Sequence, residues 1–539
     1  MSEAKREFGA ADRHAKSIAK SLAKGRPVAR TPDLDRYLAD SPEEVFAAFK
    51  GVVRHMPPAG DDEALAFGYL FLLQALLEHL RYGTDRGDVE AATLIAKFQA
   101  DVAGQRNSGE IDGRLLAYVA GALHQAKIPV SSEFAAASAQ QDIGFETASF
   151  PADVGIALEG AFEACGGDPF ALVGALAEVG HAMPEQARGA LAFGLAISNR
   201  SQGRAAAVLF LLDSSPVVRR MAIGALDQAA ASLSPTELRR LIAIRDWRPE
   251  NERAEIDAVI RKARASGIPC AQWEAGEVET ILATAIDGVG AQGFLLVSPA
   301  GRKKRLSSIL TKGGIADAWS GEPESLRRVR ATLAGAGMDA PTLAVSRSYL
   351  DRSLSHHLAL AIDRGEVPPF GLLQVAETVG GADWHPAALD FTEAVTGLLA
   401  GLPEVACAAT AAMLRQSGEL ADLERLEQSW FEDDPQVRQI VARGGTRGRE
   451  KLISYLLQST FARRRDKWAD LFLRTALWMR EASADADLCW PELAVIAKAV
   501  AQGQDLTEIG LMHAIAERTI DVLAYDGLVK AKGASARFG

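Results

Sequence analysis

The fold is decided by residues 204–228, RAAAVLFLLDSSPVVRRMAIGALDQ, which predict two short helices folded back on each other. The second helix opens with Pro216 near its first position, and Ser214 or Ser215 can cap its free N–H groups. Apolar residues then recur at helical spacing and form one stripe: Val218, Met221, Ala222, Ala225 and Leu226. Such a hairpin cannot bury both of its faces alone. We therefore expect a neighbouring hairpin on each side, as in a helical-repeat array.

A second stretch repeats the turn of the first. Asp433-Asp434-Pro435-Gln436-Val437-Arg438 has the same Asp…Pro-x-Val-Arg pattern as Asp213, Pro216, Val218 and Arg219, and Pro403-Glu404-Val405 is a weaker copy without the arginine. Over 180–265 and 385–445 the chain resembles the HEAT family of α-solenoid repeats, whose units place a proline turn before a valine and an arginine. The resemblance implies an all-α, HEAT-like curved solenoid and binding of another macromolecule.

Composition narrows the function classes. The net charge is −11, which argues against general binding to nucleic acid or to anionic membranes, although local patches remain possible. The four cysteines, Cys165, Cys270, Cys407 and Cys489, are far apart and form no metal-binding pattern, so we expect a reducing, cytoplasmic compartment. The most apolar segment, 64–77, is too short to span a bilayer and predicts a buried core helix.

Helical periodicity changes at one place, residues 290–319. A short apolar run, Phe294 to Val297, is followed by turn residues and by a second run that can return antiparallel. We predict a small β-hairpin insert near 293–311, followed by a bend at Gly313-Gly314.

These observations give five ranges along the chain. We expect a basic flexible arm over 1–30, an N-terminal helical unit over 31–150, helical repeats over 151–265, a linker with the β-hairpin insert over 266–345, and C-terminal helical repeats over 346–539.

Two basic clusters are the candidate binding residues. Arg302, Lys303, Lys304 and Arg305 stand at the tip of the predicted hairpin, where they either keep the turn solvated or contact a phosphate or an acidic protein. The second cluster opens a helix, where positive charge opposes the helix dipole, and this mismatch favours a binding role: Arg463, Arg464, Arg465 and Lys467.

Other candidates have simpler structural interpretations. His356 and His357 are adjacent on a helix, so their side chains point about 100° apart and cannot readily chelate one metal together. His385 lies beside a helix start that Asp383 can cap, and Asp433 or Asp434 can cap the helix that begins near Pro435. Residues 443–448 lack the spacing of a phosphate-binding loop. We expect no catalytic residue, metal or cofactor.

Three functions remain open. The first is a non-catalytic cytoplasmic scaffold or adaptor that binds a protein partner. The second is nucleic-acid binding through the basic clusters on a helical frame, which a steep loss of affinity with salt would identify. The third is an enzyme without a recognisable motif, which would require a pocket that gathers His356, His385 and nearby acids.

Overall fold

The computed structural model describes residues 3–22, 31–56, 63–85, 88–139, 162–163, 165–180, 185–198, 200–274, 276–339, 341–400, 402–403, 409–422, 429–443, 448–481 and 489–535. The chain divides into two compact units. Unit 1 comprises Met1–Leu191 with Ser535–Gly539, and unit 2 comprises Ala192–Ala534. The domain boundary expected near residue 150 lies in 140–161, outside the described residues. The boundary between the two units instead falls after Leu191, within helix α9 (Glu185–Ile197).

Unit 1 is helical throughout its described residues. Its helices are α1 (Glu3–Leu22), α2 (Pro32–Asp40), α3 (Val45–His55), α4 (Glu63–Asp85), α5 (Val89–Asn107), α6 (Gly113–Gln125), α7 (Ser132–Ala139) and α8 (Pro169–Gly180).

Helix α4 is the centre of unit 1, and the apolar segment 64–77 lies in it as predicted. It contacts α1, α3, α5 and α6. Leu72, Leu73, Leu76 and Leu77 are fully buried in its core. Because most of its residues are apolar, α4 can bury side chains against several neighbouring helices at once, although Phe67 on this helix is 37% exposed.

Helix α1 lies in the range predicted to be a flexible basic arm. Ala11, Ala15 and Ile18 are buried, and the helix contacts α4. These residues recur at i, i+4 and i+7, so they form one apolar stripe, in which two positions are small alanines, and this stripe is buried. The many lysines and arginines of this stretch make its composition basic, so composition alone does not reveal the apolar stripe.

Unit 2 begins with paired helices. They are α10 (Ser201–Leu209), α11 (Pro216–Gln228), α12 (Pro235–Asp246) and α13 (Glu250–Ala265). The predicted hairpin is α10 and α11, and Ser215 caps α11 by accepting from the backbone N–H groups of Val217 and Val218. Of the predicted stripe, Val218, Ala222, Ala225 and Leu226 are buried, whereas Met221 is half-buried.

A five-stranded sheet follows the paired helices. Its strands are β1 (Thr280–Thr284), β2 (Ala291–Ala300), β3 (Lys303–Lys312), β4 (Ile315–Ser320) and β5 (Thr342–Ala344). The order is β4-β3-β2-β1-β5, and every pairing is antiparallel. Helix α14 (Leu326–Asp339) connects β4 at one edge to β5 at the other.

The predicted all-α, HEAT-like solenoid is therefore wrong, because the chain is a mixed α/β protein that is mostly helical. The predicted hairpin near 293–311 is present as β2 and β3. Strands β1, β4 and β5 were missed because they have six residues or fewer. A strand this short carries too little alternation to be recognised, and its stability comes from partners distant in sequence.

Further helices complete unit 2. They are α15 (Arg347–Asp363), α16 (Gly371–Val379), α17 (Phe391–Leu399), α18 (Ala411–Gln416), α19 (Pro435–Arg443), α20 (Arg449–Leu456), α21 (Arg465–Glu481), α22 (Trp490–Ala501) and α23 (Gly510–Ser535). Among the described residues, no helix is both long and apolar enough to cross a membrane.

One face of the sheet is buried within unit 2. Ile281, Ala283, Phe294, Leu296 and Ile309 alternate along β1, β2 and β3 and are all buried. Helices α15 and α16 contact β3 and β4.

Two buried tryptophans fasten the β1 region to later parts of the chain. The indole N–H of Trp478 donates to the carbonyl of Ala283 (3.1 Å), and that of Trp430 donates to the carbonyl of Ile286 (2.8 Å). A buried indole needs such an acceptor, so these bonds fix the tryptophans as well as the sheet.

Candidate functional site

The opposite face of the sheet is open over its middle. The strand registers place Ala344, Leu282, Leu295, Ser308 and Trp319 in one row across all five strands. Directly paired residues point to the same face of a sheet, so this row defines a single surface. We call it the open face, and it also includes Leu310, two residues along β3 from Ser308.

Apolar side chains of the open face are accessible to water. Trp319 is 42% exposed and Leu310 is 37% exposed. Leu282 and Leu295 are half-buried. Helix α14 covers the neighbouring row, where Val329 packs with Val297 and Leu306, and both Leu333 of α14 and Leu295 of the open face pack against this cluster. A contiguous apolar surface that contains an exposed tryptophan is typical of a binding site.

The hairpin tip belongs to the same sheet as the open face, and Lys303 beside the tip lies five residues along β3 from Ser308. A two-residue turn, Gly301-Arg302, joins β2 to β3, and Gly301 has φ +62°, which hairpin turns of this length require at their first position. Arg302 and Lys303 are exposed, and Arg305 is half-buried. Lys304 differs from them, because it forms an ion pair with Glu279.

Helix α14 extends the positive charge of the tip. The backbones of Lys304 and Glu324 bond to each other in both directions (2.9 and 2.8 Å), which places the start of α14 beside the tip. Arg327 and Arg330 are exposed on this helix. No described residue forms an ion pair with Arg302, Lys303, Arg327 or Arg330, and we call these four residues the basic rim.

The second predicted cluster makes internal contacts. Glu432 is buried, and its carboxylate accepts from Arg464 (2.5 Å), Lys467 (3.0 Å) and the Trp468 indole (2.9 Å). Arg465 donates to the carbonyls of Val500 and Gln504, both at 2.8 Å. Arg463 is exposed. The positive charge at this helix start therefore balances a buried carboxylate.

The histidines singled out in the sequence do not come together. The imidazole Nδ1 of His385 lies 3.1 Å from Asp246. His356 and His357 are buried on α15. Residues 444–447 of the glycine-rich segment lie outside the described ranges. In the part of the chain that the structure describes, no group of three or more His, Cys, Asp or Glu side chains could hold a metal ion.

A small cavity, not foreseen from sequence, lies beside the buried face of the sheet. Its volume is about 30 Å³, and it has eight lining residues: Gln292, Tyr349, Arg352, Ser353, His356, Leu389, Arg474 and Leu477. It contains His356 without His385 and without an acidic side chain, so it does not provide the acid and base expected of the enzyme interpretation. The one sequence signal for it was the pair His356-His357.

Burial governs the ionisation of this region. Burial raises the pKa of Tyr349 far above its usual range. Burial also lowers the pKa of His356, with Asp470 opposing the shift and Arg474 adding to it. At neutral pH both side chains are uncharged, so they act there as hydrogen-bonding groups.

The chain has recognisable similarity to known sequences in two ranges. Residues 184–267 match a family model described as the Y4lR second domain, and residues 393–524 match one described as the Y4lR C-terminal helical domain. The sheet lies between these ranges. Both matching models describe domains of Y4lR, and neither describes a HEAT repeat. The resemblance to HEAT repeats therefore remains an expectation from the sequence.

One curated relative spans most of the chain. It is named "Uncharacterized protein y4lR", from Sinorhizobium fredii (strain NBRC 101917 / NGR234), and is 29% identical over 371 residues, which is 67% of this chain and 70% of the relative. No solved structure matches the chain.

Proposed function

We propose that this protein is a non-catalytic adaptor that holds an acidic, partly apolar segment of a protein partner on its open face. The observation that carries the proposal is the exposed row around Trp319 and Leu310, on a sheet whose hairpin tip and connecting helix α14 carry the four cations of the basic rim. The apolar row supplies binding energy, since burying exposed apolar surface is the main favourable term in association. The basic rim supplies the preference for negative charge.

Charge complementarity argues for an acidic partner. The molecule as a whole carries a net charge of −11, so an acidic segment is repelled by most of its surface and attracted to the basic rim.

Nucleic acid fits this surface less well. Asp317 is exposed on β4 two residues from Trp319, and Glu322 is exposed between β4 and α14. A polyphosphate backbone would meet these carboxylates, whereas a peptide can place its apolar and acidic side chains selectively. The internal contacts of Arg464, Arg465 and Lys467 also remove most of the second cluster from the surface.

A reducing, cytoplasmic compartment is part of the proposal. The three cysteines among the described residues, Cys165, Cys270 and Cys489, form no disulfide bond. Free thiols are typical of proteins kept in a reducing compartment.

Selection from a displayed library of random 12-residue peptides tests the proposal. We expect the selected peptides to be rich in acidic and apolar residues. Trp319→Ser should weaken their binding by about tenfold or more, because loss of a central anchor of this kind costs roughly 2 kcal/mol. Arg302→Ser with Lys303→Ser should weaken binding mainly at low salt.

Tyr455→Ser is the matched control, because Tyr455 is an equally exposed aromatic residue on α20. Peptides that bind Trp319→Ser as tightly as the unmodified protein would overturn the proposal. Single-stranded oligonucleotides are the second probe. If they bind the open face with steep salt dependence while no peptide is selected, the protein is a nucleic-acid-binding protein instead.

A further inference from the structure

We propose that the cavity beside the buried face of the sheet binds a single carboxylate group. This site is independent of the open face and of the function proposed for it. The cavity is bounded by β2, by α15, by the segment containing Leu389 and by α21. Its volume of about 30 Å³ exceeds the roughly 10–15 Å³ that one water molecule needs on this measure.

Two hydrogen-bond acceptors of the lining side chains, on Gln292 and His356, are already engaged. The carboxamide oxygen of Gln292 accepts from the Tyr349 hydroxyl (3.1 Å), and its amide donates to the carbonyl of Thr284 (3.0 Å). The imidazole Nδ1 of His356 accepts from the backbone N–H of Leu389 (3.1 Å). A neutral imidazole has one acceptor and one donor nitrogen, so Nε2 of His356 carries the proton.

Three lining groups that can donate a hydrogen bond remain without a described partner. Nε2 of His356 has no hydrogen-bond partner among the described residues, although only 9% of this residue is exposed. The guanidinium of Arg474 bonds Asp470 (2.8 Å) and the carbonyl of Gly290 (3.2 Å), which leaves Nη2 without a described partner. The hydroxyl of Ser353 is also available, and Arg352 lines the cavity while its side chain is 58% exposed.

This set of donors suits a compact anion. None of the eight lining residues is acidic. Asp470 pairs with Arg474, and Glu481 pairs with Arg352, so each carboxylate neutralises part of the positive charge at the cavity. The positive charge that remains matches a monoanion better than a phosphate dianion. A carboxylate offers two oxygen atoms with several lone pairs, and guanidinium groups recognise that geometry.

Titration of histidines by nuclear magnetic resonance tests the site in the full-length protein, with acetate as the probe and chloride at equal ionic strength as the reference. Acetate should shift the His356 resonances saturably and should raise the pKa of this residue, because the bound charge favours the imidazolium. Arg474 on α21 opposes this shift, Asp470 on the same helix supports it, and His357 is the titratable neighbour on α15.

Two variants separate binding from folding. Arg352→Gln and Ser353→Ala should each weaken acetate binding by about tenfold or more, the cost of one lost hydrogen bond to a charged group. Arg328→Gln is the matched control, because Arg328 is a more exposed arginine that also pairs with a glutamate.

The outcomes are distinct. Saturable shifts that depend on Arg352 and Ser353 support the site. Shifts that are equal in acetate and chloride, or that persist unchanged in both variants, mean that the cavity holds only water. Tighter binding of phosphate than of acetate would overturn the assignment to a carboxylate.

Discussion

His357 makes the stability of this protein depend on pH. The residue is 1% exposed, and neither ring nitrogen has a hydrogen-bond partner among the described residues. Burial lowers the pKa of His357 to about 3, with Arg474, His356 and Arg364 adding to the shift. In the unfolded chain the imidazole titrates near 6.5. The unfolded state therefore binds the proton first as pH falls, and folding loses free energy between about pH 6.5 and pH 3.

We expect His357→Leu to reduce this loss. Between pH 7 and pH 5 the unmodified protein should lose roughly 2 kcal/mol more unfolding free energy than the variant, since each pH unit below 6.5 contributes about 1.4 kcal/mol. Urea denaturation at both pH values measures the difference. His385→Leu is the control, because His385 is an exposed histidine that pairs with Asp246. An equal loss in the His357 variant and the unmodified protein would contradict the assignment.

Sequence reasoning succeeds for single residues where the interaction is local. The cap formed by Ser215 was predictable because its donors are two and three residues away. Burial was not predictable in the same way. Arg219 and Arg438 occupy equivalent motif positions, yet the side chain of Arg219 is 2% exposed and that of Arg438 is 20% exposed. The partner that buries Arg219 includes Glu252, 33 residues away, and no local pattern specifies it.

At the scale of elements, the hairpin was predictable and the rest of the sheet was not. The turn residues and the alternation of β2 and β3 lie within one short stretch. Strand β5 pairs with β1 across about 60 residues and is only three residues long. The open face depends on this assembly, because Leu282, Leu295 and Trp319 become one surface only when β1, β2 and β4 are in register.

Replacing glycine by alanine should have opposite effects on the unfolding free energy in the hairpin turn and in helix α14. Gly301 has φ +62°, where a side chain is strained, whereas Gly335 lies within α14 with open space where a Cβ atom would stand. Gly301→Ala should lower the unfolding free energy by about 1 kcal/mol. Gly335→Ala should raise it by roughly 0.5–1 kcal/mol, because alanine is the better helix former. Chemical denaturation of both variants measures these changes, and stabilisation by Gly301→Ala would contradict the turn.

At the scale of the whole molecule, composition predicted a mostly helical chain but not its division. Repeats grow by adding similar neighbours, so the two motif copies suggested one continuous array. The structure instead divides into two compact units, and the core of unit 1 is built around α4 without any copy of the motif. The apolar character of α4 is evident in the sequence. Its assignment to unit 1 depends on tertiary contacts, which the local sequence pattern does not specify.

The distribution of tryptophan allows the two units to be observed separately. All eight tryptophans lie between Trp247 and Trp490, so tryptophan fluorescence reports on unit 2 alone while circular dichroism reports on both units. Leu73 is fully buried in the core of unit 1. Leu73→Ala should destabilise unit 1 by about 2–5 kcal/mol and lower the thermal midpoint seen by circular dichroism, with little change in the fluorescence midpoint. Leu372→Ala, at an equally buried position in α16 of unit 2, should lower the fluorescence midpoint. If Leu73→Ala shifts both midpoints equally, the two units unfold as one cooperative structure.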